Sequence, residues 1–393
     1  QAIENRWIPD FAQTPWKMGI MAGHNPANWR ATGKGWRTKA FEALECIVTM
    51  TPNMSITAMY SDYVLPICEH YERQDFVMEG RTPYVQVIDE AVPPLAESVD
   101  DWMAMGRLLD AISARAKARE IAPIPDTFFG QPIERDYATA AQVYRTLQTQ
   151  TGEVINVKST ADVAEFIIKN STGLSDVTFE GLREQGFIRV DDADDVQFGP
   201  KSNFNYSVLA SVRDKRPYAT LTGRQQYYLD HDWFLQAGEA LPTYRKPLEV
   251  EGYKLRLTMG HARHGVHSQY RDDPLLVSLQ RGEPDVHVNP DDAAERGVAD
   301  GDMIRVFNSY GAFVAQARVS SNTQPGTLFM YHGWDPMMFR GRENFSSVIP
   351  TGGLLKPGQL VSGYGHINYQ APDSVPNQTF HDSTCEFEKY LEA

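Results

Sequence analysis

Between Tyr253 and Tyr331 the chain reads as a succession of short strands broken by glycine and proline turns, and this pattern limits the available folds more than any other feature. Lys254 to Met259, Val286-His287-Val288, Met303 to Asn308, Ala312 to Val319 and Thr327 to Tyr331 are apolar or alternating runs, which suit a pleated surface. One helix interrupts them, and its end signals agree. Asn289 is the N-cap, Pro290 takes the first helical position, Asp291 and Asp292 sit at the positive dipole end, and Gly297 stops it. Many short strands expose edges unless the sheet closes on itself, so the expectation is a closed or nearly closed β-barrel.

The first 120 residues follow a different rhythm. Trp16 to Ala22 is a short apolar strand followed by the turn Gly23-His24-Asn25-Pro26, residues 36–45 are expected to be helical, and Cys46 to Met50 is a second buried strand. Tyr63-Val64-Leu65-Pro66 is a third, stopped by its proline. Asp100 to Lys117 carries an apolar face of Trp102, Met105, Leu108, Leu109 and Ile112, capped by Ser98 or Asp100. Strand–loop–helix alternation predicts an α/β parallel sheet with ligands at its strand ends. Residues 121–215 have mixed charge, a proline break at Pro123, Pro125 and Pro132, one helix over 161–168 and no motif; they read as an insertion or a lid. The domains expected are therefore 1–120, an insertion and connecting segment over 121–245, and a barrel over 246–393, matching roughly 100–200 residues per domain.

Composition removes several function classes. Lys and Arg number 37 against 51 Asp and Glu, a net charge of −14, and an acidic surface repels nucleic-acid phosphates. Nothing approaches a run of about 18 apolar residues, so no segment reads as a membrane span. Cys46, Cys68 and Cys385 have no metal or cluster spacing. Position 1 is Gln and no signal-peptide pattern follows, so the chain reads as a processed or partial polypeptide.

Four segments have the composition of a site. Gly23 to Trp29 places the Asn25 amide and the Trp29 ring after a buried strand, as a nucleotide would require; an Asn-Pro turn is the alternative. Tyr71-Glu72-Arg73-Gln74-Asp75 offers Arg73 to a phosphate or base, or to a surface ion pair with Glu72 or Asp75. His261-Ala262-Arg263-His264-Gly265-Val266-His267-Ser268 holds three of the ten histidines. It lacks a carboxylate and the helical spacing of a zinc site, and reads as hydrogen-bond donors to a polyanionic cofactor, or as solvated loop histidines. Gly363-Tyr364-Gly365-His366-Ile367-Asn368-Tyr369 offers Asn368 to a purine-like edge, or is a glycine turn with packed tyrosines.

Taken in order, these motifs resemble a known family. Asn25-Pro26 with Gly33-Lys34-Gly35, Tyr60 to Pro66, Tyr71-Glu72-Arg73, Thr220 to Gln226, Asp230-His231, Gly238 to Pro242, His261 to Tyr270, Gly282-Glu283-Pro284, Asp300-Gly301-Asp302 and Gly363 to His366 are similar to the C-terminal part of catalytic alpha subunits of the dimethyl sulfoxide reductase superfamily of molybdenum enzymes. The branch resembled holds nitrate reductase, nitrite oxidoreductase, chlorate, perchlorate and selenate reductases, dimethyl sulfide dehydrogenase and ethylbenzene dehydrogenase. The likeness covers about 1–120 and 216–393.

The resemblance implies a Rossmann-like domain followed by a double-psi-like barrel, and a pocket for Mo-bis(molybdopterin guanine dinucleotide). Asn25, Trp29, Thr51, Arg73 and Asp101 would then face a guanine nucleotide. His261, Arg263, His264, His267, Ser268, His366, Asn368 and His381 would contact pterin or phosphate. The family's cluster-binding segment, its iron–sulfur cluster and its molybdenum-ligating aspartate have no counterpart here, so no metal ligand and no catalytic residue is assigned. The resemblance further implies two-electron oxygen-atom transfer or hydroxylation, an iron–sulfur electron-transfer beta subunit, a haem b gamma subunit and a small-molecule substrate. The location it implies is periplasmic, with a cytoplasmic, membrane-associated one as the alternative. Residues 121–215 are shorter than the corresponding region of a membrane-bound nitrate reductase, which favours the soluble members. A respiratory nitrate reductase or nitrite oxidoreductase alpha subunit is the alternative within the class. A non-catalytic nucleotide-binding module and a sugar- or nucleotide-binding α/β protein are the rivals outside it.

Overall fold

The computed structural model describes residues 13, 15–28, 33–78, 84–128, 131–171, 174, 176–189, 215–218, 220, 222–230, 235, 240–241, 249–349 and 382–392. Strands β1 (Met18–Ala22), β2 (Cys46–Thr51) and β3 (Tyr63–Pro66) form a sheet in the order β1-β2-β3. Cys46 N donates to Lys17 O, Asp62 N to Ile47 O and Ile67 N to Thr51 O. Along β2 and β3 the partners advance together, so these two strands run parallel, as their alternation with loops and helices predicts. The helix expected over 36–45 is replaced by an α-turn at Gly33–Gly35 and a π-turn at Trp36–Ala40. Two glycines are poor helix formers, and the wide turn lets buried Arg37 reach back to Ala27 O at 2.6 Å. Ala27, Phe41, Ile47 and Ile56 are buried in the small core beneath.

By contact the chain divides into two compact units. Unit 1 holds residues up to Thr49, Asn53–Val64 and Tyr227 onward; unit 2 holds Met50–Pro52 and Leu65–Gln226. In unit 2, β4 (Asp75–Met78) and β5 (Tyr84–Ile88) pair antiparallel, β6 (Ile124–Phe128) pairs β7 (Gln131–Arg135), and β8 (Thr146–Gln148) pairs β9 (Val154–Asn156). β10 (Phe187–Arg189) adds to β5. None of these short strands stands out in the sequence. Helix Asp101–Ala118 starts where the sequence places it, with the Asp100 carboxylate accepting from Met103 N at 2.9 Å. Helix Thr160–Lys169 presents Ala164 and Ile168 to a core with Val85, Leu174, Phe179 and Leu182. No described helix is long and apolar enough to cross a membrane.

Unit 1 contains the barrel. β11 (Leu255–Gly260), β12 (Asp285–Val288), β13 (Met303–Asn308), β14 (Gly311–Val319), β15 (Thr327–Tyr331) and β16 (Asp382–Lys389) close in the order β11-β15-β12-β14-β13-β16. The first five lie within a residue or so of the sequence reading. The sixth has no such signal, because acidic side chains alternate with its apolar ones. Ser383, Cys385 and Phe387 point inward and are buried, whereas Glu386 pairs Arg296 at 2.6 Å and Glu388 pairs Arg305 at 2.9 Å. β16 runs antiparallel to both β11 and β13, and so removes the last open edge. The interior is fully apolar at Leu257, Val286, Val288, Ile304, Val306, Phe313, Leu328, Met330 and Phe387, each stabilising by roughly 1.5–3 kcal/mol. The short helix Pro290–Glu295 is capped by Asn289, whose side-chain oxygen accepts from Asp291 N at 2.9 Å.

Candidate functional site

One strand pairing fixes the position of the site. β11 and β15 are parallel neighbours with Gly260 opposite Tyr331, so the residues after each emerge at the same end of the barrel, where side chains are no longer consumed by packing. His332 N donates to Gly260 O at 3.0 Å. Three imidazoles meet there: His261 and His267 at 4.7 Å between ring centres, His261 and His332 at 5.4 Å, and His267 and His332 stacked at 5.2 Å and 17°.

Local backbone geometry holds the rings in place. Val266 and Gln269 form an isolated bridge, and His267 and Tyr270 adopt φ of 51° and 57°, a left-handed conformation that costs energy for residues with a Cβ. Gly333 has φ 90°, and a Cβ there would lie 2.0 Å from His267 O, so only glycine lets the two loops touch backbone to backbone. His261 Nδ1 lies 3.0 Å from Ala262 O. A carbonyl only accepts, so Nδ1 carries the hydrogen of this contact.

Of the residues expected to contact pterin or phosphate, the structure brings His261 and His267 together. Arg263 and His264 are exposed on the same loop, and Ser268 is half-buried at its end. Two members lie outside the motifs that the sequence singles out. His332 belongs to Tyr331-His332-Gly333-Trp334, directly after a predicted strand, and the parallel pairing of β11 with β15 is the signal that points to it. Arg271 follows immediately on the Tyr270 that closes the histidine motif. Its guanidinium is buried, donates to Gly333 O, His267 O and His332 O at 3.2, 3.3 and 3.0 Å, and lies 4.3 Å over the Trp334 ring. Burial pushes its pKa down to about 10, which leaves it charged at neutral pH.

The Asn25 loop belongs to the same unit and is tied to this end of the barrel. Asn25 Oδ1 accepts from Thr57 N and Oγ1 at 3.2 and 2.6 Å, so its carbonyl side is used to shape the loop. Asn28 Oδ1 accepts from Asn344 Nδ2 at 3.1 Å, and the same nitrogen lies 3.5 Å from Trp334 O. Arg37 donates to Glu343 at 2.8 Å. Asp335, whose carboxyl burial raises above the usual range, also receives Ile56 N. The histidine loops therefore rest on Arg271 and Trp334, and Asn344 joins the main chain at Trp334 to Asn28.

Thr51, Arg73 and Asp101 lie in unit 2. Thr51 ends β2 and its carbonyl accepts from Ile67 N at 3.2 Å. Arg73 and Asp101 are paired at 3.3 Å, and Arg73 also reaches Asp75 at 3.6 Å and His70 Nδ1 at 3.3 Å. The ion-pair alternative for Arg73 is thus realised with Asp75. Buried Arg73 Nε and Trp102 Nε1 nevertheless have no hydrogen-bond partner among the described residues. Trp29, His366, Asn368 and His381 lie outside the described residues. Among the described residues no three His, Cys, Asp or Glu side chains are grouped to hold a metal ion. All three thiols are free, and burial pushes Cys68 up to about 11 and Cys385 to about 12, which makes both poor nucleophiles.

The molybdopterin oxidoreductase family matches residues 7–111, and the molydopterin dinucleotide binding domain matches 255–352, which contains the histidine loop and the barrel strands up to β15. The chain is 33% identical to chlorate reductase subunit alpha of Ideonella dechloratans over 98% of its own length and 42% of that protein's. It is 34% identical to respiratory nitrate reductase subunit alpha of Haloferax mediterranei, over 92% of this chain and 38% of that one. It is 32% identical to dimethylsulfide dehydrogenase subunit alpha of Rhodovulum sulfidophilum, over 99% and 41%. The chain thus spans about two fifths of the length of these relatives. Among solved structures, acetylene hydratase from Pelobacter acetylenicus superposes with a TM-score of 0.63 at 18% identity, covering 95% of this chain and 44% of that one. At that identity the likeness concerns the fold.

Proposed function

We propose, because this chain belongs to the molybdopterin oxidoreductase family, that it is the cofactor-holding C-terminal part of an alpha subunit that reduces an oxyanion at molybdenum. The observation that carries the reading is the meeting of His261, His267 and His332 beside buried Arg271 at one end of the closed barrel. In finer terms, the parallel-sheet region is read as Rossmann-like and the guanine-nucleotide side, and the barrel as double-psi-like and the pterin side.

The residues present fit Mo-bis(molybdopterin guanine dinucleotide). Pyrophosphates and a pterin need N–H donors, positive charge and close backbone approach. The end of the barrel offers imidazoles, exposed Arg263 and the buried Arg271 cation. When bound, the cofactor supplies two-electron oxygen-atom transfer or hydroxylation at its metal. The chain's own part is to bind, orient and tune. His261 commits Nδ1–H to Ala262 O, which fixes the orientation of its ring. His267 and His332, held parallel, offer ring nitrogens at fixed spacing, and Asn25 shapes the loop read as lying under the nucleotide. The roles of Thr51, Arg73, Asp101, Trp29, His366, Asn368 and His381 rest on the resemblance.

Chlorate and nitrate are the substrates of first choice, since the names of two relatives carry them; oxidation of a sulfide or hydrocarbon is the reverse-direction alternative, and one relative is a dimethylsulfide dehydrogenase. The partners proposed are an iron–sulfur beta subunit and a haem b gamma subunit, and the location is the periplasm. The test is metal analysis of the native full-length subunit, release of a fluorescent pterin on acid denaturation, and viologen-linked turnover of chlorate and nitrate. Molybdenum near one per subunit with pterin and turnover is expected. A subunit that binds guanine nucleotide but holds neither molybdenum nor pterin overturns the proposal in favour of a binding module.

A further inference from the structure

We propose that Arg271 is the positioning residue of this site: its guanidinium locks the histidine-bearing backbones into one arrangement and supplies the fixed positive charge there for an anionic dinucleotide. The inference rests on the cofactor reading and names the residue on which the site's geometry depends.

The surroundings of the cation carry the assignment. Arg271 is 7% exposed. Its Nε bonds Gly333 O, one terminal nitrogen bonds both His267 O and His332 O, and the other bonds Gln280 Oε1. Gln280 Nε2 in turn lies 3.4 Å from His264 O and 3.3 Å from Leu276 O. One planar fork and the amide beside it thus hold the main chain at His264, His267, His332 and Gly333. The lower face of the fork is Trp334, itself 2% exposed.

Every hydrogen-bond partner named is a carbonyl or an amide, and among the described residues no carboxylate pairs with Arg271. A buried cation held only by dipoles is costly, and an anion nearby recovers that cost. Elsewhere on this acidic chain guanidinium is handled differently. Buried Arg37 has Glu343, and half-buried Arg296 has Glu386. The unneutralised charge of Arg271 therefore stands where a polyanion is to bind. The same bonds hold His267 in its left-handed conformation (φ 51°) against the steric preference of a residue with a Cβ. A lysine would keep the charge, yet a single ammonium on a flexible stem cannot span carbonyls on two loops with a planar fork.

The test uses the full-length subunit produced with its native partners, comparing Arg271→Met, Arg271→Lys and Gln280→Leu. Arg271→Met is expected to hold at least about tenfold less molybdenum and acid-released pterin per folded subunit, with far-UV circular dichroism unchanged. Arg271→Lys is expected to load partly and to show a shifted Mo(V) paramagnetic resonance signal, which loss of stability alone would not produce. Gln280→Leu, which frees the His264 tie and removes one partner of Arg271 but leaves its bonds to Gly333, His267 and His332, is expected to load and to shift that signal less. Wild-type loading with an unaltered Mo(V) signal in both Arg271 variants overturns the inference. If Arg271→Met does not fold, Arg271→Lys and Gln280→Leu decide it, and a wild-type signal in both overturns it. Absence of molybdenum and pterin from the unmutated subunit overturns the cofactor reading itself, and this inference with it.

Discussion

Asn344 Nδ2 donates to Asn28 Oδ1 at 3.1 Å, across 316 residues of chain. Both side chains are buried, at 0% and 4% exposure. Asn344 Oδ1 is used as well, accepting from Ser346 N and Oγ at 3.1 and 2.6 Å, so this amide is satisfied on both sides. A buried amide with all its bonds made specifies one arrangement, and any other arrangement strands its polar atoms. This bond is what seats the loop after β1 on the chain segment that leaves β15.

Asn344→Ala should therefore destabilise unit 1 by about 2–3 kcal/mol, from one orphaned buried acceptor on Asn28 and one lost cap at Phe345–Val348. Denaturant unfolding of the purified chain measures it. A change below about 0.5 kcal/mol, the scatter of ordinary surface substitutions, would show that the bond does not organise the region.

Arg37→Met removes the cation from Glu343, which Arg37 reaches at 2.8 Å and which keeps only the Ser347 hydroxyl, and leaves Ala27 O without that donor. Breaking a buried pair from one side costs about 3–5 kcal/mol when both ions are buried. Glu343 keeps about a third of its exposure, so about 2–3 kcal/mol is expected here. The double variant Arg37→Met/Glu343→Met should recover part of that loss; a double variant no better than the single one would mean that the pairing contributes nothing.

Gly333→Ala should be among the most damaging small substitutions. The added methyl meets His267 O at 2.0 Å and the backbone sits at φ 90°, so the two loops must part. Loss of the His267–His332 stack is expected, seen as loss of cofactor loading with the far-UV spectrum retained. An alanine variant that loads normally would show that these loops can shift at little cost.

Two carboxylates should respond to pH with opposite signs. Burial raises Asp335 above the usual aspartate range, so the folded chain binds that proton more tightly than the unfolded one, and stability falls as pH rises between the two values. Asp335→Asn should remove this slope and stabilise at neutral pH, because an amide oxygen can still accept from Met337 N. Asp302 is held below the usual range by Lys389 at 2.8 Å, with help from Ala299 N. Its contribution is present above the usual aspartate range and is lost as pH falls through the lowered value, so Asp302→Asn should flatten the acid limb. Unfolding curves taken from acid to neutral pH compare the variants; identical slopes for all three proteins would contradict both assignments.

His267→Ala should reduce molybdenum and pterin retention by at least about tenfold and leave secondary structure intact. Arg73→Ala should lower retention as well, and in addition frees Asp101 and Asp75, which Arg73 reaches at 3.3 and 3.6 Å. Metal analysis of both variants checks this, and full occupancy in His267→Ala would detach the histidine loop from the cofactor.

The legible parts of this fold are those governed by local chemistry. The cap at Asn289-Pro290, the Asp100 cap, the five barrel strands from β11 to β15 and the three strands of the parallel sheet all carry their signals within a few residues. β16 and the short strands of unit 2 do not, since acidic or mixed side chains occupy their outer face and only the partner strand makes them strands. The turn at Trp36–Ala40 is illegible for a related reason: what bends it is Arg37 reaching Ala27 O, a partner ten residues back.

The site divides the same way. A cluster of histidines after an apolar strand is visible in the order of residues, because residue type and spacing are local properties, and so is the likeness to a molybdopterin family. That His332 joins His261 and His267 depends on which strands lie side by side, and that Arg271 is buried with no carboxylate partner among the described residues depends on everything packed around it. Burial and strand neighbours are set by contacts between residues far apart in the chain, and no short stretch of sequence contains them.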